Sequence, residues 1–230
     1  ERHLRLEERE PATIEKYLRD VRSFAAWLEG RPVSKELAAR WKEGLLGSGL
    51  APATVNAKLS ALNGLFRFLG WEDCRVRFLK LQRRAFRDPA RDLTREEYGR
   101  LLAAARETGR ERLELLLETI CATGIRVSEV RCITAEAVLA GRAEIRLKGK
   151  IRTILLPGKL CRKLLKYAKK QKIASGEIFL TRSGKAISRR QIWHEVKALC
   201  GEAKVAPSKV FPHNLRHLFA AIFYRATRDI

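Results

Sequence analysis

Three short stretches carry side chains that could bind an anionic group and move protons: Ala122-Thr-Gly-Ile-Arg126-Val-Ser-Glu129, Lys148-Gly149-Lys150, and His213-Asn-Leu-Arg216-His217. A guanidinium is permanently charged and offers forked donors to two oxygens at once, which suits Arg126 and Arg216 to clamping an oxyanion. A lysine ammonium can give up a proton, and an imidazole exchanges one near neutral pH. Glu129 follows Arg126 by three residues, where a carboxylate can orient a cationic side chain or satisfy a buried donor. Each string alone recurs by chance, so their order along the chain carries the weight.

The composition says what such a set would act on. With 230 residues and 46% hydrophobic content the chain can form one large or two small domains with real cores. Lys and Arg outnumber Asp and Glu 48 to 26, for a formal charge of +22 and a pI near 10.4, far more than solubility requires. The excess is uneven: residues 1–92 hold 19 basic and 13 acidic residues, a net +6, and residues 93–230 hold 29 and 13, a net +16. The expected partner is a polyanion. No apolar run approaches the roughly 20 residues that span a bilayer, and no secretory signal is visible, so nucleic acid is favoured over a membrane. Cys74, Cys121, Cys132, Cys161 and Cys200 never fall in a C-x-x-C pair and do not cluster with histidines, which reads as a reducing compartment, no structural zinc, and small buried apolar side chains. The lack of methionine and the start at Glu1 suggest a fragment rather than a complete gene product.

These residues need elements to position them. Ile14, Tyr17, Leu18, Val21, Phe24, Ala25 and Leu28 follow a helical period closed by Gly30-Arg31-Pro32. Ser34 can cap a second helix with Leu37, Trp41 and Leu45 on one side. A third follows Pro52 and puts Val55, Leu59, Leu62, Phe66 and Leu69 on one face before Gly70, so a helical bundle is predicted over 1–81. Residues 82–92, with four arginines, a proline and no sustained period, read as a linker. Thr94 and Glu97 form a capping box that opens a second domain over 93–230. There Leu113, Leu116, Leu117 and Ile120 mark a helix interrupted by Gly124, and Val127, Val130 and Ile133 suggest another. Residues 144–147 and 151–154 alternate around Lys148-Gly149-Lys150, predicting a β-hairpin with a basic tip. A helix through Leu160, Leu164, Leu165 and Ala168 has a lysine-rich outer face, which is either solvated or attracts phosphate. A short strand over Glu177–Leu180 and a helix opened by a Ser188–Gln191 capping box follow.

Taken together, in this order and with a small hairpin between them, the three strings resemble the Arg, Lys and His-x-x-Arg elements of tyrosine recombinases, the phage and conjugative-transposon integrase family. The resemblance covers essentially the whole chain, the leading bundle being similar to the family's core-binding domain. It implies a mainly α fold with a small antiparallel β-sheet: a helical, SAM-like core-binding domain joined to a tyrosine-recombinase catalytic domain that is incomplete at its C-terminus. It further implies site-specific DNA recombination, integrating or excising a mobile element by tyrosine-mediated phosphodiester transesterification without a cofactor or metal. In that chemistry Arg126 and Arg216 face the extra charge of a phosphorane-like state. Lys148 is the general acid for the departing 5′ oxygen, with Lys150 its rival, although Leu147 stands where a glycine is usual and both lysines could simply bind phosphate. His213 assists tyrosine deprotonation or braces the phosphate, and His217 matches a largely structural position.

By the same resemblance the nucleophilic tyrosine is expected past Ile230, with Tyr224 a packing residue on the helix continuing from His217 and this chain inactive for cleavage. Asn56, Ser60, Asn63 and Arg67 share a polar helix face that could lie along a DNA groove, or could simply be solvated. Lys150 and Arg152 of the hairpin, and Arg189, Arg190 and Gln191 at a helix start, are further candidates for DNA contact. The expected partner is double-stranded DNA, gripped as a tetramer by an intact enzyme and as a monomer by this chain, in the cytoplasm with the nucleoid. Two rivals remain: a noncatalytic DNA-binding regulator, and a type IB topoisomerase with a similar residue set.

Overall fold

The computed structural model describes residues 1–81, 89–147 and 150–227. Contacts divide the chain into two compact units, Glu1–Ala85 and Phe86–Ile230. Most of the expected linker at 82–92 lies outside the described residues; Pro89–Arg91 form a short 3-10 turn.

The first unit comprises α1 (Arg2–Leu6), α2 (Pro11–Leu28), α3 (Lys35–Gly47), α4 (Pro52–Phe68) and a 3-10 turn at Glu72–Cys74. Proline opens both α2 and α4, where its missing N–H costs nothing. The Ser34 hydroxyl accepts the Leu37 N–H at 3.2 Å, capping α3. Phe24, Trp41, Leu59, Leu62 and Phe66 fill the core. Phe24 meets the Trp41 ring edge-on, with centroids 5.1 Å apart. The short α1, which buries nothing, gave no periodic signal in the sequence.

The second unit runs α5 (Arg95–Glu107), α6 (Glu111–Thr123), a 3-10 helix (Val127–Cys132), α7 (Ala135–Leu139), β1 (Arg142–Leu147), β2 (Lys150–Leu155), α8 (Gly158–Lys170), α9 (Arg189–Ala198) and α10 (Pro212–Thr227). Helix α6 is its centre: Leu116, Leu117 and Ile120 are wholly buried, and α5, α8 and α10 pack around it. The Thr94–Glu97 capping box forms with both of its bonds. Strands β1 and β2 pair antiparallel in the register Arg142↔Leu155 to Leu147↔Lys150, turning Ala143, Ile145 and Ile154 inward.

Three predicted elements differ. Val127 and Val130 lie on a 3-10 helix, not an α-helix, and Ile133 caps its end; their strict spacing of three matches its three residues per turn. Glu177–Leu180 make only single bridges, Thr134↔Glu177 and Leu180↔Ala186, rather than a strand. The Ser188 hydroxyl accepts the Gln191 N–H, but the Gln191 side chain turns to Glu195, so that capping box is half made. The five cysteines are free thiols, four of them buried.

Candidate active site

Arg126 is aimed by a sharp end to α6. Gly124 takes the left-handed conformation, φ +61°, and a Cβ there would lie 2.5 Å from Phe219 Cδ1 of α10, so only glycine allows both the turn and the close approach. Ile125, 1% exposed, anchors the next residue, and Arg126 is extended with its side chain half exposed. Glu129 then folds back beneath it. Its Oε2 accepts the Arg126 backbone N–H at 2.7 Å and its Oε1 accepts a guanidinium N–H at 2.9 Å. Oε2 also accepts from Arg152 of β2 at 2.7 Å. One buried carboxylate thereby fixes two guanidiniums. Burial pushes the Glu129 carboxyl up, but the Arg126 N–H, the Arg126 guanidinium and Arg152 together outweigh it and hold it below its ordinary 4.5.

The third guanidinium comes from α10. Leu215 is buried in the core, and the buried Asn214 amide donates to the Arg91 and Lys209 carbonyls, both at 2.8 Å, fixing the start of the helix. Helical spacing then brings His213, Arg216 and His217 to one face. The Arg216 NH1 atom is buried and meets no hydrogen-bond acceptor among the described residues. Burial presses its pKa down, as do the charges of Arg126 and Arg152, with Glu129 opposing them in part. Arginine does not respond by losing its proton at usable pH, so the site favours an incoming anion. Three guanidiniums against one carboxylate leave a local charge of +2 at neutral pH. His213 and His217 are both exposed, their rings edge-to-face at 6.0 Å.

The structure places the remaining candidates as follows. Lys148 and the side chain of Lys150 lie outside the described residues. Arg189 and Arg190 are exposed in the first turn of α9. Gln191 Nε2 donates to Glu195 at 2.9 Å, and Glu195 accepts from Arg112 of α6 at 2.6 Å, which ties the Gln191 amide nitrogen to the fold. The polar face expected on α4 is largely internal. Asn63 is 5% exposed, its Nδ2 donating to the Val76 carbonyl at 2.9 Å and its Oδ1 accepting the Val76 N–H at 3.1 Å. Asn56, one heptad earlier, grips Leu79 in the same two-bond manner at 2.9 and 2.8 Å. The Ser60 hydroxyl pairs with the Tyr17 hydroxyl at 3.3 Å. Of the four, only Arg67 is exposed, so the groove-reading assignment fails for Asn63 and Asn56, whose amides are already occupied. Tyr224 is 51% exposed beside exposed Ile222 and Phe223 and is not the packing residue expected. Sequence reasoning missed the role of Asn214 and the pairing of Arg152 with Glu129, neither of which has a local signal.

Residues 91–230 match the phage integrase family, and residues 1–73 match the N-terminal SAM-like domain of phage integrases. The chain belongs to the phage integrase family of tyrosine recombinases. Tyrosine recombinase XerC of Erythrobacter litoralis is 30% identical over 95% of this chain and 74% of its own length. XerD of Haemophilus influenzae is 29% identical over 90% of this chain and 76% of its own length. In fold, lambda integrase bound to DNA superposes with a TM-score of 0.74 at 18% identity, covering 98% of this chain and 84% of that one. The Tn1549 transposon integrase, in complex with transposon right end DNA, gives 0.74 at 17% identity, covering 99% and 86%.

Proposed function

We propose that this chain acts in site-specific recombination of double-stranded DNA, integrating or excising a mobile element, with Arg126, Arg152 and Arg216 holding the phosphate at which strands are exchanged. The observation that carries this is the buried Arg216 NH1, without a partner among the described residues, set against two guanidiniums already ordered by Glu129. A phosphoryl group gaining charge during transesterification would meet preformed donors with little reorganisation. In the proposed reaction a tyrosine hydroxyl attacks phosphorus, a 3′ phosphotyrosyl bond forms and the bond to the 5′ oxygen breaks. Lys148 protonates that oxygen, and His213 takes the tyrosine proton or braces the phosphate. A 5′ hydroxyl of the partner strand then reverses the step. The fold neighbours that are DNA-bound integrases, one of them from a transposon, support DNA as substrate and the mobile-element reading.

We infer that none of the four tyrosines in the sequence is that nucleophile. Burial pushes the phenols of Tyr98 and Tyr167 up, and Tyr17 belongs to the first unit. Tyr224 lies eight residues beyond Arg216 on one helix, about 12 Å along its axis. We therefore propose that these 230 residues bind duplex without cleaving it, as a monomer, and that an active form works as a tetramer on DNA, in the cytoplasm. No helix among the described residues is long and apolar enough to cross a membrane.

The test incubates the chain, and a version extended C-terminally to the next encoded tyrosine, with nicked duplex and looks for covalent adducts on a denaturing gel. Duplex binding by both with an adduct only from the longer form supports the proposal. An adduct from the 230-residue chain that vanishes with Tyr224→Phe would make Tyr224 the nucleophile, and binding with no adduct from either would make the protein a noncatalytic regulator. Light scattering on the DNA complex checks the monomer.

A further inference from the structure

We infer that Lys16, Arg19 and Lys58 form a second phosphate-binding site, on the first unit, organised by the buried carboxylate of Asp20. The inference rests on the proposal that the chain binds duplex DNA, and it names where the first unit takes hold. Helices α2 and α4 approach closely over small residues: Ala61 is 2% exposed, and a Cβ on Gly64 would sit 4.0 Å from the Tyr17 ring. Beside this seam Asp20 is 3% exposed. A carboxylate taken out of water requires compensation, for which one cation is enough. Asp20 has three: Lys16 Nζ lies 3.0 Å from Oδ2, Lys58 Nζ 3.4 Å from Oδ1, and Arg19 Nε 3.8 Å from Oδ1. The cluster is left with a charge of +2.

Of the three cations the two lysines are held in place, unlike ordinary surface lysines, while Arg19 is mostly exposed. Lys16 also donates to the Ala57 carbonyl at 3.3 Å, and the Lys58 side chain is only 21% exposed. An ammonium has three N–H groups, so one on Lys16 and two on Lys58 remain without an acceptor among the described residues. Two lysines ordered in advance lose less rotamer entropy on meeting an anion than free ones do. The asparagines of α4 are closed off by the chain's own backbone, so within the first unit this seam combines fixed geometry, spare donors and excess positive charge. A DNA backbone phosphate fits it: a compact oxyanion needing point charges and no base reading.

The experiment measures duplex binding by the full 230-residue chain across a salt series, with fluorescence anisotropy. Each phosphate neutralised contributes about 0.9 to the slope of log affinity against log salt, so K16Q/K58Q, which removes one phosphate site, should lower the slope by about 0.9 and weaken binding on every sequence alike. The exposed pair K35Q/R40Q on α3 removes the same charge and should change the slope clearly less. Asp20→Asn removes a negative charge, so net charge alone predicts tighter binding, whereas loss of the organiser predicts weaker binding; thermal transitions confirm that each variant is folded at the assay temperature. Equal slopes for the two double variants overturn the site, and tighter binding by Asp20→Asn overturns the organising role. Competition by inorganic phosphate that relieves binding equally in wild type and K16Q/K58Q would also count against it. A wild-type chain with no affinity for duplex instead overturns the DNA-binding proposal itself, a separate result.

Discussion

In the first unit Asn63 is buried with its amide oxygen and nitrogen both engaged by Val76, while in the second Arg216 carries a buried NH1 that meets no acceptor among the described residues. Both are polar groups on helices that a sequence reading assigns to DNA contact, Asn63 on a groove-facing surface and Arg216 in a phosphate clamp, and they differ in what they leave undone. The asparagine closes a helix onto a neighbouring extended segment, and each bond adds about 0.5–1.5 kcal/mol net. The arginine is held among two like charges, at a cost in stability that only an anion offsets. The satisfied amide of Asn63 is architectural, and the open NH1 of Arg216 is where the proposed phosphate would bind.

The largest expected effect breaks the two apart at Arg216. In a tyrosine-bearing longer chain, Arg216→Met should lower strand cleavage about 10²–10³-fold, about 3–4 kcal/mol, while the thermal transition holds or rises because a buried unpaired charge is gone. A transition that falls in step with activity would erase the distinction. Next comes Gly124→Ala, where the two roles meet: the left-handed backbone costs about 1–2 kcal/mol and the collision with Phe219 about 1–3 kcal/mol. Both stability, read by chemical denaturation, and duplex affinity should fall, because the turn that aims Arg126 is part of the core. Asn63→Ala is the converse of Arg216→Met: it should cost about 1–3 kcal/mol by stranding the Val76 groups, with duplex affinity below the transition unchanged. Loss of affinity there would return Asn63 to the DNA interface.

What the sequence made legible follows from what is local. Most of the longer helices were readable from their apolar periods, whereas the short α1 and α7 were not; the hairpin was readable from its alternation, and the caps at Ser34 and Thr94 from residues three apart. Arg126, Arg216 and His213 were singled out because their strings are short and ordered, and the fold brings Arg126 and Arg216 into one electrostatic neighbourhood. The α4 face misled because Asn56 and Asn63 satisfy groups at 79 and 76, a pairing 23 and 13 residues distant that no helical period encodes. Arg152 was assigned to DNA on its charge alone; its bond to Glu129 spans 23 residues and appears only when β2 is placed. The spacing of three from Val127 to Ile133 was present in the sequence and was the clue to a 3-10 helix.

The smallest expected effect is a pH dependence that belongs to one unit's device and not to the other's. Asn63 and Val76 have no titratable group between them, so the cost of Asn63→Ala should be the same at pH 7 and in acid. Glu129 is the opposite case: its folded-state pKa lies below its ordinary 4.5, so the stability it adds is fully present above that value and is lost as pH falls through the folded value. The thermal transition of Glu129→Gln should therefore sit furthest below wild type near neutrality, with the gap narrowing under acid conditions below 4.5. Other carboxylates held low, such as Glu97 at the start of α5, titrate in both proteins and cancel in that difference. A gap independent of pH would mean that the Glu129 charge does not anchor the two guanidiniums, and that Arg126 and Arg152 are ordered by packing alone.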